Sequence, residues 1–502
     1  MLYDARNLTP DWFAERSWDL AICGAGPAGI SLARRVAGQG FRVLLLEGGG
    51  TAPHFESQVF YEGESVGREY FGLDETRLRA LGGSSNHWNG WCRPLDARDF
   101  RPRPDHPLSG WPIDRDALDP YAAETERILD LGPEPDPVPS PVEGRLEGFH
   151  PVAFRWSTPV TRFNAKYVEE LRASQEIDLV IRASALEALP NERGDAVRRI
   201  RLAHPEDEWR AEARARAFVL CLGGLENPRF LLNSRGAHQE GLGNDRDQVG
   251  RYFNEHPHFH VGEAVLRRPF AHMRFVSPDD DLLLGEGVLN FAMRFISLLP
   301  ARHDGSVGRS RLARAVCNSE AEWSMRLAEA LRGGRELDCR DVRLQIVTEQ
   351  ELNPDSRVTL AENRDPFGQR RLRLDWRLAD RDLHTIRRGA RLVAEALAHS
   401  DLGRARLDPW VLDEGAPLPG LDEDEVAGHH QMCTTRMSAN PAEGVVDADC
   451  RVHGFENLYL GGSSVFATGG HANPTYTIVQ LALRLGDHLA DRLSDPARLP
   501  LP

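Results

Sequence analysis

Lysine is almost missing from this chain. Of 61 lysine and arginine residues among 502, Lys166 is the single lysine. Schiff-base chemistry therefore has hardly a residue to work with. Acids outnumber bases, 76 to 61, for a formal net charge of −15 with histidine neutral. That excludes nonspecific nucleic-acid or anionic-membrane binding as the main business of the chain, and leaves room for a local basic pocket. Cysteine is sparse. Cys23, Cys92, Cys221, Cys317, Cys339, Cys433 and Cys450 are odd in number and scattered without a CxxC, so neither a disulfide framework nor a zinc site is indicated. No apolar run approaches the ~20 residues of a membrane span. The N-terminal MLYDARNLTPDWFAERSWDL carries acids where a secretory leader needs a basic start and an apolar run. The expectation is a soluble, cytoplasmic protein. A hydrophobic content of 41% and a charged content of 27% are those of a globular chain. Its length exceeds one ordinary core, which points to two domains.

What is present is concentrated first in Asp19–Gly50. Leu20, Ile22 and Cys23 read as a buried strand, Ala28 to about Gly38 as a helix, and Phe41–Leu46 as a second strand ending in Glu47. Between strand and helix lies Gly24-Ala25-Gly26-Pro27-Ala28-Gly29, the GxGxxG turn of a dinucleotide-binding βαβ unit. Gly24 permits the tight turn, Gly26 the approach of a pyrophosphate, and Gly29 the close packing of helix on strand. The helix N-terminus offers free N–H groups and partial positive charge to that anion. Glu47 stands 18 residues after Gly29, where a carboxylate accepts ribose hydroxyls and repels a 2′-phosphate. NADP is thereby disfavoured.

Residues 51–80 read as polar and irregular. The loop Leu81-Gly82-Gly83-Ser84-Ser85-Asn86-His87-Trp88-Asn89-Gly90-Trp91 follows, with more aromatic content than a solvated loop needs. A helix is expected from about Asp114 to Leu131, then a polyproline-like spacer with a proline at every second position from Pro133 to Pro141. A helix at Ala165–Ala173 and a strand at Ile177–Ala185 come next. Arg216–Gly224 then forms a second strand–glycine–helix turn without a pyrophosphate signature. Beyond NEHPHFH the pattern becomes alternation. Leu289, Phe291, Met293 and Phe295 share one face, as do Val342, Leu344 and Ile346, and later Leu372, Leu374 and Trp376. These read as strands of an antiparallel sheet with one buried face. An Arg-rich loop and one amphipathic helix interrupt it within Ser297–Gly334. Asp380 or Asp382 caps a further helix carrying Leu383, Ile386, Ala390, Val393 and Leu397. His256, His258 and His260 alternate in a metal-like way, but no metal is expected. The last block, His429–Leu493, brings HHQMCTTRMS, another strand ending in glycines, GGHANPT, and a helix from Tyr476 to about Leu493.

In this order, GAGPAG with Glu47, LGGSSNHW, GGLENPRFLLNS, VGRYFNEHPH, NPDSRVTL, HHQMCTTRM and GGHANPT resemble the glucose–methanol–choline (GMC) family of FAD-dependent oxidoreductases over nearly the whole chain. The resemblance implies an α/β fold: a discontinuous Rossmann-like FAD-binding domain with an inserted antiparallel-sheet substrate domain. Residues 1–105, 160–258 and 425–502 are assigned to the first and 259–424 to the second, with 106–159 a Pro-rich connecting excursion. It implies FAD, held by Gly24, Gly26, Pro27, Ala28, Gly29 and Glu47. From the middle of the chain Gly82, Gly83, Ser84, Asn86, His87, Asn89, Gly90, Ala185 and Gly223 join them. Gly462, Ser463, Asn473, Pro474 and Thr475 complete the set from the C-terminal block. In pyranose-oxidase-like members the histidine of GG-x-S-x-HW, here His87, is the one that can attach covalently to the flavin, while sugar-oxidising relatives with a similar loop can hold FAD non-covalently; the resemblance leaves both open, with His87 near the flavin edge in either.

The family's catalytic pair, a His followed some forty residues on by His or Asn, falls on His430 and Asn473, 43 apart. Removing a hydride from a carbinol carbon requires the hydroxyl proton to leave, and a neutral imidazole poised near pH 7 takes it. Asn473 donates to the same oxygen and holds it. His429 competes with His430 by a one-residue slip, and His471 is a further pocket candidate. The expected reaction is oxidation of an alcohol to a carbonyl, with a sugar, polyol or glycoside favoured and oxygen or another electron acceptor downstream. A GMC-fold lyase with structural FAD, and a flavoprotein subunit of a membrane-linked dehydrogenase complex, remain alternatives. Oligomerisation is left open.

Overall fold

The computed structural model describes residues 1–104, 106, 108–132, 146–204, 209–236, 238–267, 275–298, 340–420 and 428–500. The Pro133–Pro141 run and the Arg-rich stretch after Leu298 lie outside them.

The expected βαβ unit is Trp18–Cys23, Pro27–Ala37 and Val43–Glu47. It sits within a six-stranded parallel sheet. The order is Leu2–Asp4, Ile177–Ile181, Val43–Glu47, Trp18–Cys23, Ala215–Leu220, Leu458–Leu460. A parallel sheet is covered on both faces, so its strands are continuous apolar runs rather than alternations. Ile22, Leu44, Leu45 and Val219 are fully buried accordingly. Pro27–Ala37 packs against Thr475–Ser494, so the first and last helices of the unit close one layer.

A second six-stranded sheet is antiparallel throughout. Its order is Gly403–Leu407, His258–Leu266, Asp341–Thr348, Phe291–Ser297, Phe275–Pro278, Phe149–Pro151. The alternation read from the sequence assigns its faces. Phe291, Met293, Phe295, Val342, Leu344 and Ile346 form a core with Ile386, Ala390, Val393 and Leu397 of the helix Asp380–His399. The intervening positions therefore point the other way.

Several expectations are corrected. Leu372, Leu374 and Trp376 do not join that sheet. Their strand Arg370–Trp376 pairs antiparallel with Arg357–Arg364 and parallel with Gly63–Gly67, over a small core shared with Tyr70 and Phe253. Alternation announces a buried face but not the sheet that buries it. The strand Gly63–Gly67 was hidden in the polar stretch because it is a largely exposed edge without apolar periodicity. The strand expected at Ile177–Ala185 breaks at Arg182, whose φ is +58°, and its remainder, Ser184–Pro190, enters a separate three-stranded antiparallel sheet. The helix expected from Asp114 shortens to Ala122–Ile128, since Pro120 has no N–H and the preceding turns tighten to 3₁₀. At the start of Asp380–His399 it is Asp382 that works, accepting the N–H groups of Ala379 and Glu351 at 2.7 Å each. Phe149–Pro151, from the stretch read as a connecting excursion, is an edge strand of the antiparallel sheet.

Candidate active site

The two sheets enclose a cavity of about 730 Å³ that runs from the GxGxxG turn to the C-terminal histidines. Along the parallel sheet its wall is mostly backbone. Gly24 holds φ +102°, and a Cβ there would lie 2.4 Å from the Cys221 carbonyl. A Cβ on Gly29 would lie 1.9 Å from the Gly24 carbonyl, so helix and turn meet only because both are glycine. Gly26 differs: a Cβ there would meet nothing within 4 Å. Its open side is the cavity. The helix Pro27–Ala37 has no side-chain cap, leaving its first N–H groups to the cavity. Two more uncapped helix N-termini, Gly223–Asn233 and Thr475–Ser494, border the same space. Three partial positive ends around one elongated cleft are a cradle for an anionic, extended ligand.

Glu47 borders this end, buried. Its carboxylate accepts the N–H groups of Ala25 at 3.1 Å and Gly49 at 2.8 Å. Burial raises its pKa, and the Gly49 N–H and the Arg79 guanidinium oppose that rise. Glu47 thus organises the turn, and each oxygen keeps a further lone pair for a ribose hydroxyl. The glycine cradle, the free helix ends and this acceptor fit a dinucleotide such as FAD.

Of the remaining expected contacts, Pro27, Ala28, Gly83, Ser84, His87, Asn89, Ala185 and Gly223 line the cavity. So do Gly462, Ser463, Asn473, Pro474 and Thr475. Gly29, Gly82, Asn86 and Gly90 do not. Asn86 donates to the Leu81 carbonyl at 2.9 Å, and Gly82 and Gly90 hold φ of +86° and +75° behind the wall. This loop is pinned from outside: Arg162 donates to the carbonyls of Ser85 and Trp88, and Trp88 to that of Thr161. His87 is therefore held at the cavity face, where burial and then Arg162 lower its pKa.

At the far end the tandem histidines separate. His429 has φ +58°, a conformation a non-glycine residue adopts at a cost. Its ring stands edge-on to Phe71, 4.4 Å away. His430 turns inward, and Asn473 Nδ2 lies 3.1 Å from its Nε2. Of the two histidines it is His430 that meets Asn473. Only glycine fits at 428, since a Cβ there would come within 2.6 Å of the His430 ring. Burial, then the nearby His256, His258 and His429, holds the His430 pKa well below its ordinary 6.5. The imidazole is thus held in its neutral form at neutral pH, not poised near its ordinary value as the isolated residue suggests.

Sequence reasoning missed what stands behind it. His256 Nδ1 lies 2.8 Å from His430 Nδ1. Beneath both, buried Glu255 accepts the backbone N–H groups of His256 at 2.9 Å and His430 at 2.7 Å, and the Tyr70 hydroxyl at 2.6 Å. Burial lifts the Glu255 pKa to about 7, against the pull of these donors. The signal was NEHPH itself, read for its alternating histidines rather than for Glu255–His256. His258 faces the cavity, and among the described residues no group of side chains is arranged to hold a metal. His471 lines the cavity too, buried, with Nδ1 3.8 Å from Asp96. The opposite wall, on the free face of the antiparallel sheet, is made of side chains: Arg294, Gln345 and Val347, with Trp91, Phe154 and Phe275 beside them.

Comparison with known proteins places this geometry. Residues 353–482 match the family GMC oxidoreductase. The 2-methyl-1,2-propanediol dehydrogenase of Mycolicibacterium austroafricanum is 25% identical, over 95% of this chain and 96% of that protein. The 6'''-hydroxyparomomycin C oxidase of Streptomyces lividus is 23% identical, over 96% and 93%. The fructose dehydrogenase large subunit of Gluconobacter japonicus is 23% identical, over 95% and 98%. In fold, the chain is similar to pyridoxine 4-oxidase from Mesorbium loti, with a TM-score of 0.56 at 18% identity over 94% of this chain and 99% of that one. Among the described residues no helix is long and apolar enough to cross a membrane.

Proposed function

We propose, from its likeness to GMC oxidoreductases, that the chain is an FAD-dependent oxidoreductase of CH–OH donors that oxidises a polyol or sugar hydroxyl with His430 as base and Asn473 as its partner. The observation that carries this reading is the 3.1 Å approach of Asn473 Nδ2 to His430 Nε2 at the end of the cavity. The two atoms face each other, and both residues border the cavity. A hydroxyl that comes between them donates its proton to Nε2 and accepts the amide N–H on its oxygen. FAD, held along the glycine cradle, supplies the hydride acceptor. As the carbinol C–H bond breaks, the oxygen gains negative character, and the amide dipole is already directed at it. The pair is part-buried at the cavity wall, where such a dipole acts through less screening than in open water.

The side-chain wall supports a hydroxyl-rich substrate, since Gln345, Arg294 and His258 offer polar groups among Trp91, Phe154 and Phe275. The relatives named above act on a diol, an aminoglycoside and fructose by their names, which supports the same class. Anaerobic mixing of the flavoprotein with diols, sugars and aminoglycosides tests the reading: one class bleaches the flavin within the time of turnover. A flavin that no alcohol bleaches would return the chain to the lyase alternative. The likeness to a large subunit favours a second possibility for the acceptor, a protein partner in place of oxygen. Reoxidation of the bleached flavin by air, against its reoxidation only by a dye or quinone, separates the two.

A further inference from the structure

Two short segments that are far apart in sequence run antiparallel beneath the base. Asn254 and Met432 exchange backbone hydrogen bonds at 3.1 and 3.0 Å, and the Gly428 N–H reaches the His256 carbonyl at 3.2 Å. Glu255 ties the N–H groups of residues 256 and 430 to one carboxylate oxygen. The result is a line of ring atoms. His256 Nε2 lies 3.2 Å from the Gly469 carbonyl oxygen, His256 Nδ1 lies 2.8 Å from His430 Nδ1, and His430 Nε2 lies 3.1 Å from Asn473 Nδ2.

The line can be read in one direction only. A carbonyl oxygen accepts and never donates, so His256 Nε2 carries a hydrogen. His256 is fully buried, and burial lowers its pKa to about 4, so at neutral pH the ring is neutral and its Nδ1 is bare. The bare Nδ1 must be given a hydrogen by His430 Nδ1. His430, neutral as well, then has no hydrogen left for Nε2. That bare nitrogen is the one Asn473 faces with its N–H groups.

We propose that His256 is a positioning residue that fixes His430 in the tautomer whose Nε2 is free to accept the substrate hydroxyl proton. The inference rests on His430 being the base. In the step itself the substrate O–H bond breaks and an Nε2–H bond forms, while Nδ1–H stays on His430 and keeps its hydrogen bond to His256. The developing imidazolium therefore meets a lone pair already aimed at its positive N–H, with no reorganisation. Without His256, only the Asn473 amide faces the ring, and it can turn its oxygen to an Nε2–H as readily as its N–H to a bare Nε2; the Nε2–H form has nothing with which to take a proton. The arrangement has the logic of a carboxylate behind a catalytic histidine, with a neutral ring and a backbone carbonyl in its place.

The test uses the flavin-loaded protein carrying ring-¹⁵N histidine, with His430 assigned by the signals lost in His430→Ala. At neutral pH the expected pattern is a protonated Nδ1 and an unprotonated Nε2. In His256→Leu the pattern should invert or mix. Anaerobic flavin reduction should slow by about 10²–10⁴-fold, the scale of general-base catalysis, at little change in the substrate concentration for half-saturation. His256→Asn offers an amide oxygen to the same N–H and should recover most of the rate. An Nε2-protonated His430 in the parent protein, or a His256→Leu rate within about twofold of it, overturns the inference. Should the leucine variant fail to fold, the parent's ring pattern and the asparagine variant decide. A His430→Ala protein that reduces its flavin normally would instead remove the base assignment, whatever the ring pattern shows.

Discussion

The two walls of the cavity are built from different parts of the chain's chemistry. The parallel-sheet wall presents backbone: glycines, three uncapped helix ends and a carboxylate engaged by N–H groups. The antiparallel-sheet wall presents side chains, Arg294, Gln345 and His258 among aromatic rings. A backbone surface has the same donors whatever the residue, and it suits a cofactor that every member of a family shares. A side-chain surface can be rewritten one position at a time without disturbing the ladder beneath it, and it suits a substrate that differs from member to member. His430, the proposed base, lines the cavity where the walls meet.

The largest expected effect lies at that meeting point. His430→Ala should keep its flavin and slow anaerobic flavin reduction by ~10²–10⁴-fold, as loss of a general base does. Asn473→Ala should be impaired less, since water can replace one amide donor. Normal reduction by the His430 variant, or a larger loss in His429→Ala, would place the chemistry elsewhere.

The backbone wall breaks next, and in two distinguishable ways. Gly29→Ala forces a Cβ to within 1.9 Å of a carbonyl oxygen and should destabilise the fold by ~3 kcal/mol, at the upper end of overpacking costs. Gly26→Ala meets nothing in the protein and should fold normally, yet crowd the cofactor. Its thermal unfolding without flavin should match the parent, with flavin affinity reduced about tenfold, or ~1.4 kcal/mol. Equal behaviour of the two variants in both measurements would erase the distinction between packing glycine and cradle glycine.

The side-chain wall should answer differently. Gln345→Ala is expected to leave flavin content unchanged and to shift kcat/KM among alcohol substrates by up to about tenfold, the scale of one hydrogen bond. A loss of flavin from this variant would mean that the two walls are not separate in function.

The smallest effect is in pH. Reduction requires neutral His430, and the neutral fraction grows as pH rises through its pKa. Since burial and the surrounding histidines hold that pKa well below 6.5, protonation of His430 should slow the reaction only in acid. Glu255, raised to about 7 beneath the ring, titrates in the neutral range instead. An inflection near pH 7 that persists in Glu255→Gln would restore a titrating His430 and contradict the depressed value.

Much of this was legible before any coordinates, for a local reason. The turn at Gly24–Gly29 depends on the conformational range of glycine and on strand and helix lengths read directly from apolar runs. The faces of Phe291–Ser297 and Asp341–Thr348 follow from a period of two. The separation of His430 and Asn473 was likewise visible, because it belongs to a motif order. Where Leu372, Leu374 and Trp376 would be buried was not, since three alternating residues fit any sheet with a free edge.

What the sequence determined by itself, then, was the set of short-range conformations: the glycine turn, the helix that follows it, the alternating strands, and the residue types near each. Tertiary structure alone decided which of those residues meet. That Asn86 turns to the Leu81 carbonyl while His87 faces the cavity depends on contacts with Thr161 and Arg162, some seventy residues away. That His256 stands behind His430 depends on the backbone pairing of Asn254 with Met432, 178 positions apart. A strand slipped by one residue presents its opposite face, and no local preference along either segment selects the register. Only burial of the whole, with one carboxylate binding both backbones, selects it.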